Sequence, residues 1–324
     1  MGTFTVLDDD DMAAIAGAFG LGAVARWRAI AAGTINSNFE LDTAADRYFV
    51  RVNEGKSEDD VAWEGDLVAH LAAAGVPSPV PLTASGERYL RHRGHLISAF
   101  PHLPGDHRAP TEVSEADAAQ VGAALARIHR AGDDFAGARR IGIYTWPHIR
   151  ERFAGFREHP DTALGYAIGV LAAEMAIIDA RAAEREAAPR GIIHGDLFRD
   201  NVLFAAGRLT ALLDFEQASE GAPVYDLAVA LNDWCWDGAP HPERAAALLA
   251  GYQEVRPLTA EERSILPIEL RAAAVRFTVT RITDVHLPGI PNPDKDFRAF
   301  LARVEAWRDG GAEVLLAALH PGAE

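Results

Sequence analysis

Cysteine is almost absent: Cys235 stands alone among 324 residues. That excludes an intramolecular disulfide and any CxxC metal site. Positive charge is also scarce, with 31 Lys and Arg against 47 Asp and Glu and a net charge of −16. A surface so acidic repels a phosphate backbone, so nucleic acid is not an expected partner. A nucleoside triphosphate is not excluded, because a divalent cation and a few local cations screen it. The acidity fits a cationic substrate or, more simply, solubility. The sequence shows no run of eighteen apolar residues, so no spanning helix and no membrane partner are expected. The stretch Met1 to Asp11 is acidic and lacks a basic segment followed by an apolar one, which is unlike a signal peptide. A cytoplasmic address follows as the default expectation. Internal repeats and low-complexity tracts are absent, and nothing indicates an oligomeric state.

What remains is an ordinary globular composition, 49% hydrophobic and 24% charged, long enough for a sizeable core. Residues 27–32, 37–41 and 48–52 are rich in aromatic and β-branched side chains and are separated by turn residues such as Gly33 and Asn36. They read as strands. Residues 61–74 carry Val61, Leu67, Val68 and Leu71 at helical spacing, and Gly75 and Pro77 stop the helix. Residues 89–91 and 95–100 read as a hairpin turning near Gly94. Beyond a linker at 101–106 helix takes over, at 115–130, 162–188, 224–236, 242–253, 260–285 and 294–319, with 288–293 separating the last two. A strand at 191–194 and a hairpin of 202–204 with 209–213 around Gly207 interrupt the helices. The expected class is α+β, a small β-rich N-lobe over 1–101 and a larger, mainly helical C-lobe over 102–324, with a hinge near 99–101. A cleft between two lobes is a common place for a ligand.

The chemistry concentrates in Gly191-Ile-Ile-His194-Gly-Asp196-Leu-Phe-Arg-Asp-Asn201-Val-Leu-Phe204 and, after it, Leu212-Leu-Asp214-Phe-Glu216. Phosphoryl transfer passes through a loose transition state, so catalysis is mostly positioning and charge stabilisation. One carboxylate must hold the acceptor hydroxyl and take its proton. An amide oxygen and a second carboxylate must hold Mg²⁺, which takes hard oxygen ligands. Asp196 as base, with Asn201 and Asp214 as metal ligands, supply that set. The D-x-x-x-x-N spacing puts base and ligand at the two ends of one loop. Each could instead be a loop residue capping a turn. His194 is expected to lock the loop through a backbone bond rather than act as base. Asp226, at a helix start, is expected to accept backbone N–H bonds and brace the loop. Glu216 stays open between a metal contact through water and a purely structural part.

The pattern His-x-Asp-x-x-x-x-Asn followed by a hydrophobic-Asp-Phe segment resembles the catalytic loop of the aminoglycoside phosphotransferase and choline kinase superfamily. That superfamily shares the two-lobed protein-kinase-like fold and uses ATP. Three stretches resemble bacterial homoserine kinases of this type. They are Gly33-Thr-Ile-Asn-Ser-Asn-Phe39, Gly195-Asp-Leu-Phe-Arg-Asp-Asn201 and Tyr225-Asp-Leu-Ala-Val-Ala-Leu-Asn-Asp-Trp-Cys235. The resemblance implies that Gly33, Ser37 and Asn38 lie in a phosphate-cradling turn. It sets Arg51 where many relatives carry a phosphate-contacting lysine, and Glu64 where they carry its ion-pairing glutamate. It also sets the backbone of Ala99 and Pro101 at the adenine edge. The implied acceptor is a small molecule, L-homoserine, whose carboxylate calls for an arginine fork. Asn232, Trp234, Arg276 and Arg281 are the candidates by placement, each weighed against a packing or surface part. Another small hydroxyl acceptor, an aminoglycoside or amino alcohol, is the alternative. A nucleotide-binding pseudokinase is the third reading, and its only foothold is Arg51.

Overall fold

Alternation of apolar and polar side chains builds one antiparallel sheet early in the chain. Its strands are β1 (Val24–Ile30), β2 (Ser37–Thr43), β3 (Arg47–Val52), β4 (Leu90–His92) and β5 (His95–Pro101), in the order β1-β2-β3-β5-β4. The computed structural model describes residues 5–30 and 36–317, so Gly33 lies outside the described residues. In the β2–β3 register Phe39 faces Val50 and Asn38 faces Arg51. The period of two sends Phe39, Leu41, Val50 and Val52 into the core and turns Asn38 and Arg51 to the opposite face.

The expectation of a single helix in this region is corrected to two. α1 (Asp9–Ala18) packs Met12, Ile15 and Ala16 into the same core. Its run of aspartates hides it, since such a run reads as a solvated tail. Asp8 instead accepts from the Asp11 N–H, and the Asp11 carboxylate accepts from the Asp8 N–H, which makes a capping box. α2 (Glu58–Ala73) starts at Ser57, whose hydroxyl accepts from the Asp60 N–H.

The chain divides into two compact units. The first comprises Met1–Gly105, Asp134–Ala138 and Thr210–Glu216; the second comprises Asp106–Asp133, Arg139–Leu209 and Gln217–Glu324. The second holds α3 (Glu115–Gly132), α4 (Trp146–Phe156), α5 (Thr162–Asp179), α6 (Ala182–Glu186), β6 (Gly191–Ile193) and β7 (Val202–Ala205). After a turn at Ala206–Gly207, both at positive φ, the chain passes along β8 (Arg208–Leu212) into the first unit. There the Leu212 N–H donates to the Pro77 carbonyl at 2.6 Å. It returns for β9 (Ser219–Gly221), α7 (Pro223–Trp234), α8 (Pro242–Val255), α9 (Ala260–Arg281), α10 (Arg298–Ala306) and α11 (Ala312–Leu315).

Several helical expectations are shortened or replaced. α4 was not read from the sequence, because only Ile149, Phe153 and Phe156 of its eleven residues are buried. The stretch 162–188 breaks into α5 and α6. Residues 260–285 end as a π-turn at Ile282–His286, and 294–319 are split by a second π-turn at Trp307–Gly311, where Gly310 has φ +95°. α5 is long and apolar enough to cross a membrane by length and composition, with a mean hydropathy of 1.5, contrary to the expectation of no such helix. Its fully buried Glu174 lies 3.3 Å from Arg271 of α9, and α5 packs on α9 and α10, as a core helix does. α3 and α8 touch through glycines. A Cβ added at Gly122 would overlap the Leu248 carbonyl, and one at Gly251 the Ala119 carbonyl.

Candidate active site

In the second unit, β6 delivers His194, Gly195 and Asp196 at its carboxyl end. Gly195 has φ +79°, and a Cβ there would sit 3.1 Å from the Gln217 carbonyl oxygen, so only glycine fits. The loop is held by α7. Asp226, wholly buried in that helix's first turn, accepts from the His194 N–H at 2.6 Å and the Gly195 N–H at 2.8 Å. His129 of α3 sits 3.0 Å from the same carboxylate and bonds the Tyr252 hydroxyl of α8 at 2.8 Å. Burial raises the Asp226 pKa, but His129, His194 and the Gly195 N–H outweigh it, and the net direction is down. Asp196 donates its own N–H to His194 Nδ1 at 3.3 Å. The imidazole thus bonds the loop backbone.

The Asp196 carboxylate accepts from Gln217 Nε2 at 3.2 Å and faces Arg276 Nη1 at 3.7 Å. Asn201 donates from Nδ2 to the Asp196 carbonyl at 2.8 Å, so its Oδ1 is the atom left to bind a cation. Arg199 forks onto Asp233 of α7 with two bonds of 2.9 Å, and Trp234 Nε1 donates to the Leu197 carbonyl at 3.0 Å. Four residues of the loop are therefore fixed by one helix.

Two substrate candidates are corrected by this geometry. Asn232 is fully buried, with Nδ2 donating to the Ala228 and Leu270 carbonyls and Oδ1 accepting from Trp307 Nε1. Trp234 is fully buried under the loop it holds. Neither has a polar atom for a ligand. The motif that carries them is conformational support for Asp196. Arg276 and Arg281, both on α9, do lie in the neighbourhood of Asp196.

The first unit gathers a second set of charges. Arg51 lies 3.2 Å from Glu64, 3.0 Å from Glu216 and 3.8 Å from Asp214. Burial lowers its pKa, but those three carboxylates outweigh it and keep the guanidinium charged. Lys56 lies 2.8 Å from Glu64 and 3.5 Å from Glu216. Glu216 also accepts from Asn36 Nδ2, and burial pushes its pKa up. Asp214 sits at φ +59°, a strained conformation for a non-glycine residue. Its Oδ1 is buried without a hydrogen-bond donor, and so is Asn38 Oδ1. Ser37 commits its hydroxyl to Glu54 at 2.7 Å and to the Thr5 N–H at 2.9 Å. Ala99 lies within β5, its carbonyl accepting from the Leu82 N–H at 2.8 Å; Pro101 has no N–H, and that of His102 donates to Arg47.

An orphaned carboxylate oxygen on Asp214 and an uncommitted amide oxygen on Asn201 are hard ligands of the kind Mg²⁺ takes. Among the described residues no three His, Cys, Asp or Glu side chains cluster as a metal site.

Sequence reasoning passed over Lys56, Gln217, Tyr144 and Asp233. Lys56 had a signal: the sequence has two lysines, and this one opens the turn before α2. Gln217 and Asp233 each sit one position from a residue already singled out. Tyr144 had none; its ring lies 4.3 Å from the Arg276 guanidinium only through tertiary folding.

Residues 26–258 match the phosphotransferase enzyme family APH. The chain is 36% identical to the homoserine kinase of Acidiphilium cryptum, over 88% of this chain and 89% of that protein. It is 37% identical to the homoserine kinase of Caulobacter sp. K31, with the same coverage. Among solved structures it is similar to the amicoumacin kinase hAmiN in complex with AMP-PNP, Ca²⁺ and Ami, with a TM-score of 0.68 at 15% identity over 87% of this chain and 88% of that one. That likeness shows the protein-kinase-like fold, an antiparallel sheet followed by a mainly helical part. With motif, fold and matched length in agreement, this chain belongs to the APH phosphotransferase enzyme family, whose reaction is the transfer of phosphate to a hydroxyl group of a small molecule.

Proposed function

We propose that this protein is an ATP-dependent homoserine kinase, transferring the γ-phosphoryl group of ATP to the side-chain hydroxyl of L-homoserine. The observation that carries it is the identity of 35–37% over about nine-tenths of the chain to proteins named homoserine kinase. Residues 1–101 serve the nucleotide, and 102–324 carry the catalytic loop and the acceptor site.

Asp196 is the base. Gln217 and Arg276 fix its carboxylate, so one oxygen can face the acceptor hydroxyl and receive its proton as the phosphoryl group departs. Loose transition states ask for alignment more than for base strength, which suits a carboxylate held by neighbouring cations. His194 and Asp226 keep the loop in register. Asn201 and Asp214 would hold Mg²⁺, which would supply positive charge to offset that of the triphosphate. Asn38 of β2, with Ser37 and Gly33, serves the phosphates. Arg51 and Lys56 share Glu64 and Glu216, and this pairing keeps two cations available to the triphosphate. The paired and charged state of Arg51 supports an active kinase rather than a pseudokinase.

The test is phosphorylation of a panel comprising L-homoserine, ethanolamine, choline and kanamycin, with and without EDTA. L-homoserine is expected to have the highest kcat/KM, and EDTA to abolish turnover. Phosphorylation of another panel member but not of L-homoserine overturns the acceptor and leaves the phosphotransferase chemistry standing. Full activity after metal removal overturns the assignment of Asn201 and Asp214.

A further inference from the structure

Two arginines stand on α9 near Asp196, five residues apart, and their surroundings differ. Arg276 is 2% exposed. Its Nη1 donates to the Gly195 carbonyl at 3.1 Å, its Nη2 donates to Gln217 Oε1, and its Nε is buried without an acceptor. Two aromatic rings pack against the guanidinium, Tyr144 at 4.3 Å and Phe277 at 3.9 Å. It is enclosed and spends its bonded N–H groups on the loop backbone and Gln217, and its charge lies 3.7 Å from Asp196. It fixes the loop and Gln217, and Gln217 in turn fixes the Asp196 carboxylate.

Arg281 closes α9, where the helix widens into the π-turn Ile282–His286. Its one hydrogen bond is from Nη1 to the Asp296 carbonyl at 3.1 Å, and among the described residues it has no ion pair within 4 Å. One face stacks on Phe300 at 4.5 Å. Phe300, Phe277 and Phe198 pack on one another, with centroids 4.5 to 5.7 Å apart, and Phe198 is two residues past Asp196 in the catalytic loop. Burial lowers the pKa of Arg281 in spite of the surrounding Asp233, Asp200, Asp196 and Asp296 carboxylates. A guanidinium that is half-buried, stacked and short of acceptors is matched by a planar carboxylate, which takes two of its parallel N–H bonds.

We propose that Arg281 is the specificity residue that takes the acceptor's carboxylate, and that Arg276 is a positioning residue that never touches it. The proposal rests on the homoserine kinase reading and sharpens it. Phe198, the partly exposed member of the three, is backed by the buried Phe277 and Phe300 and offers an apolar surface beside the catalytic loop on which the short methylene chain of an amino acid can lie. The enzyme thereby selects amino acids over amino alcohols, because an acceptor without the carboxylate leaves Arg281 desolvated and unpaired.

The experiment compares Arg281→Gln, Arg281→Lys and Arg276→Gln with the wild type, measuring calorimetric Kd and steady-state kinetics for L-homoserine and L-homoserinamide. Wild type is expected to prefer the acid by about 10²-fold. In Arg281→Gln the Kd for L-homoserine rises about 10²-fold and the preference falls below tenfold. Arg281→Lys, which keeps the charge and the stem, recovers part of the loss and guards against a folding defect. Arg276→Gln lowers kcat on both acceptors while the preference is kept. A preference retained in Arg281→Gln, or lost in Arg276→Gln instead, overturns the assignment, as does a wild type indifferent to the carboxylate. A wild type that does not bind L-homoserine at all overturns the parent reading and takes this one with it.

Discussion

At the scale of single residues, Arg51 differs from the lysine that the resemblance to the superfamily implies. Arg51 occupies the strand position where a lysine was looked for, and a bulky planar guanidinium there engages Glu64, Glu216 and Asp214 at once. Lys56 supplies a compact ammonium from the adjoining turn, paired to the same Glu64 and Glu216. Asp196 tests the chemistry most directly. Asp196→Asn keeps the shape and can still accept from Gln217, but it cannot take the hydroxyl proton. Its kcat is expected to fall about 10²–10⁴-fold, with nucleotide binding, read by fluorescence titration, within threefold of wild type. Turnover near the wild-type value would remove Asp196 from the role of base. This residue, with Asn201 and Asp214, is nominated by the sequence because the proposed reaction dictates both type and spacing. Asn232 and Trp234 were misjudged because a polar side chain in a family motif looks the same whether it serves the ligand or the scaffold.

Among the elements, α7 and the α3–α8 pair do the most. α7 holds the catalytic loop at Asp226, Asp233 and Trp234, so the polar groups of this distinctive run are spent on the loop. The α3–α8 contact brings backbones together at Gly122 and Gly251 and seats His129 against Tyr252. Gly122→Ala must push the Leu248 carbonyl away. The variant is expected to lose about 1–3 kcal/mol of stability, measured by urea unfolding, although alanine favours helix over glycine by about 1 kcal/mol. A gain in stability would show that the helices can separate without cost. The periodicity of α3 and α8 announced the helices, but which face of each meets the other is not written in either segment alone. α1 shows the reverse limit, for its capping box lies inside an acidic run and only the sheet it covers reveals its apolar face.

In the molecule as a whole, buried polar links tie the second unit's elements to its catalytic loop. Asp226 bonds the loop and His129; His129 bonds Tyr252; Arg256 donates to the Tyr252 hydroxyl at 3.0 Å and forks onto Glu262 at the start of α9. A carboxylate whose folded pKa is depressed stabilises the fold above its unfolded pKa, about 3.9, and loses that contribution as pH falls through the folded value. Asp226→Asn is therefore expected to be destabilised at pH 7 by about 3–5 kcal/mol, the usual cost of breaking a buried charged pair. The gap to wild type should narrow below about pH 4. Urea unfolding across pH 3–7 reads both, and a gap constant through the acid range would mean that Asp226 does not gain from being charged.

Sequence by itself determined the order of a β-rich part before a helical one and the family, and it nominated three residues for the proposed reaction. Each of these is encoded locally: alternation for strands, a 3.6-residue period for helices, and a loop whose spacing the chemistry requires. Tertiary structure alone decided what depends on meetings between distant segments. It sent the Asp214 segment into the first unit beside Arg51 and Lys56, and set Gln217 and Tyr144 around Arg276. It also separated two arginines of one helix by their surroundings, Arg276 buried and bonded to the loop and to Gln217, Arg281 half-buried with one bond to a backbone carbonyl. Identical side chains acquire different work from their desolvation and their neighbours, and both are properties of the packed chain.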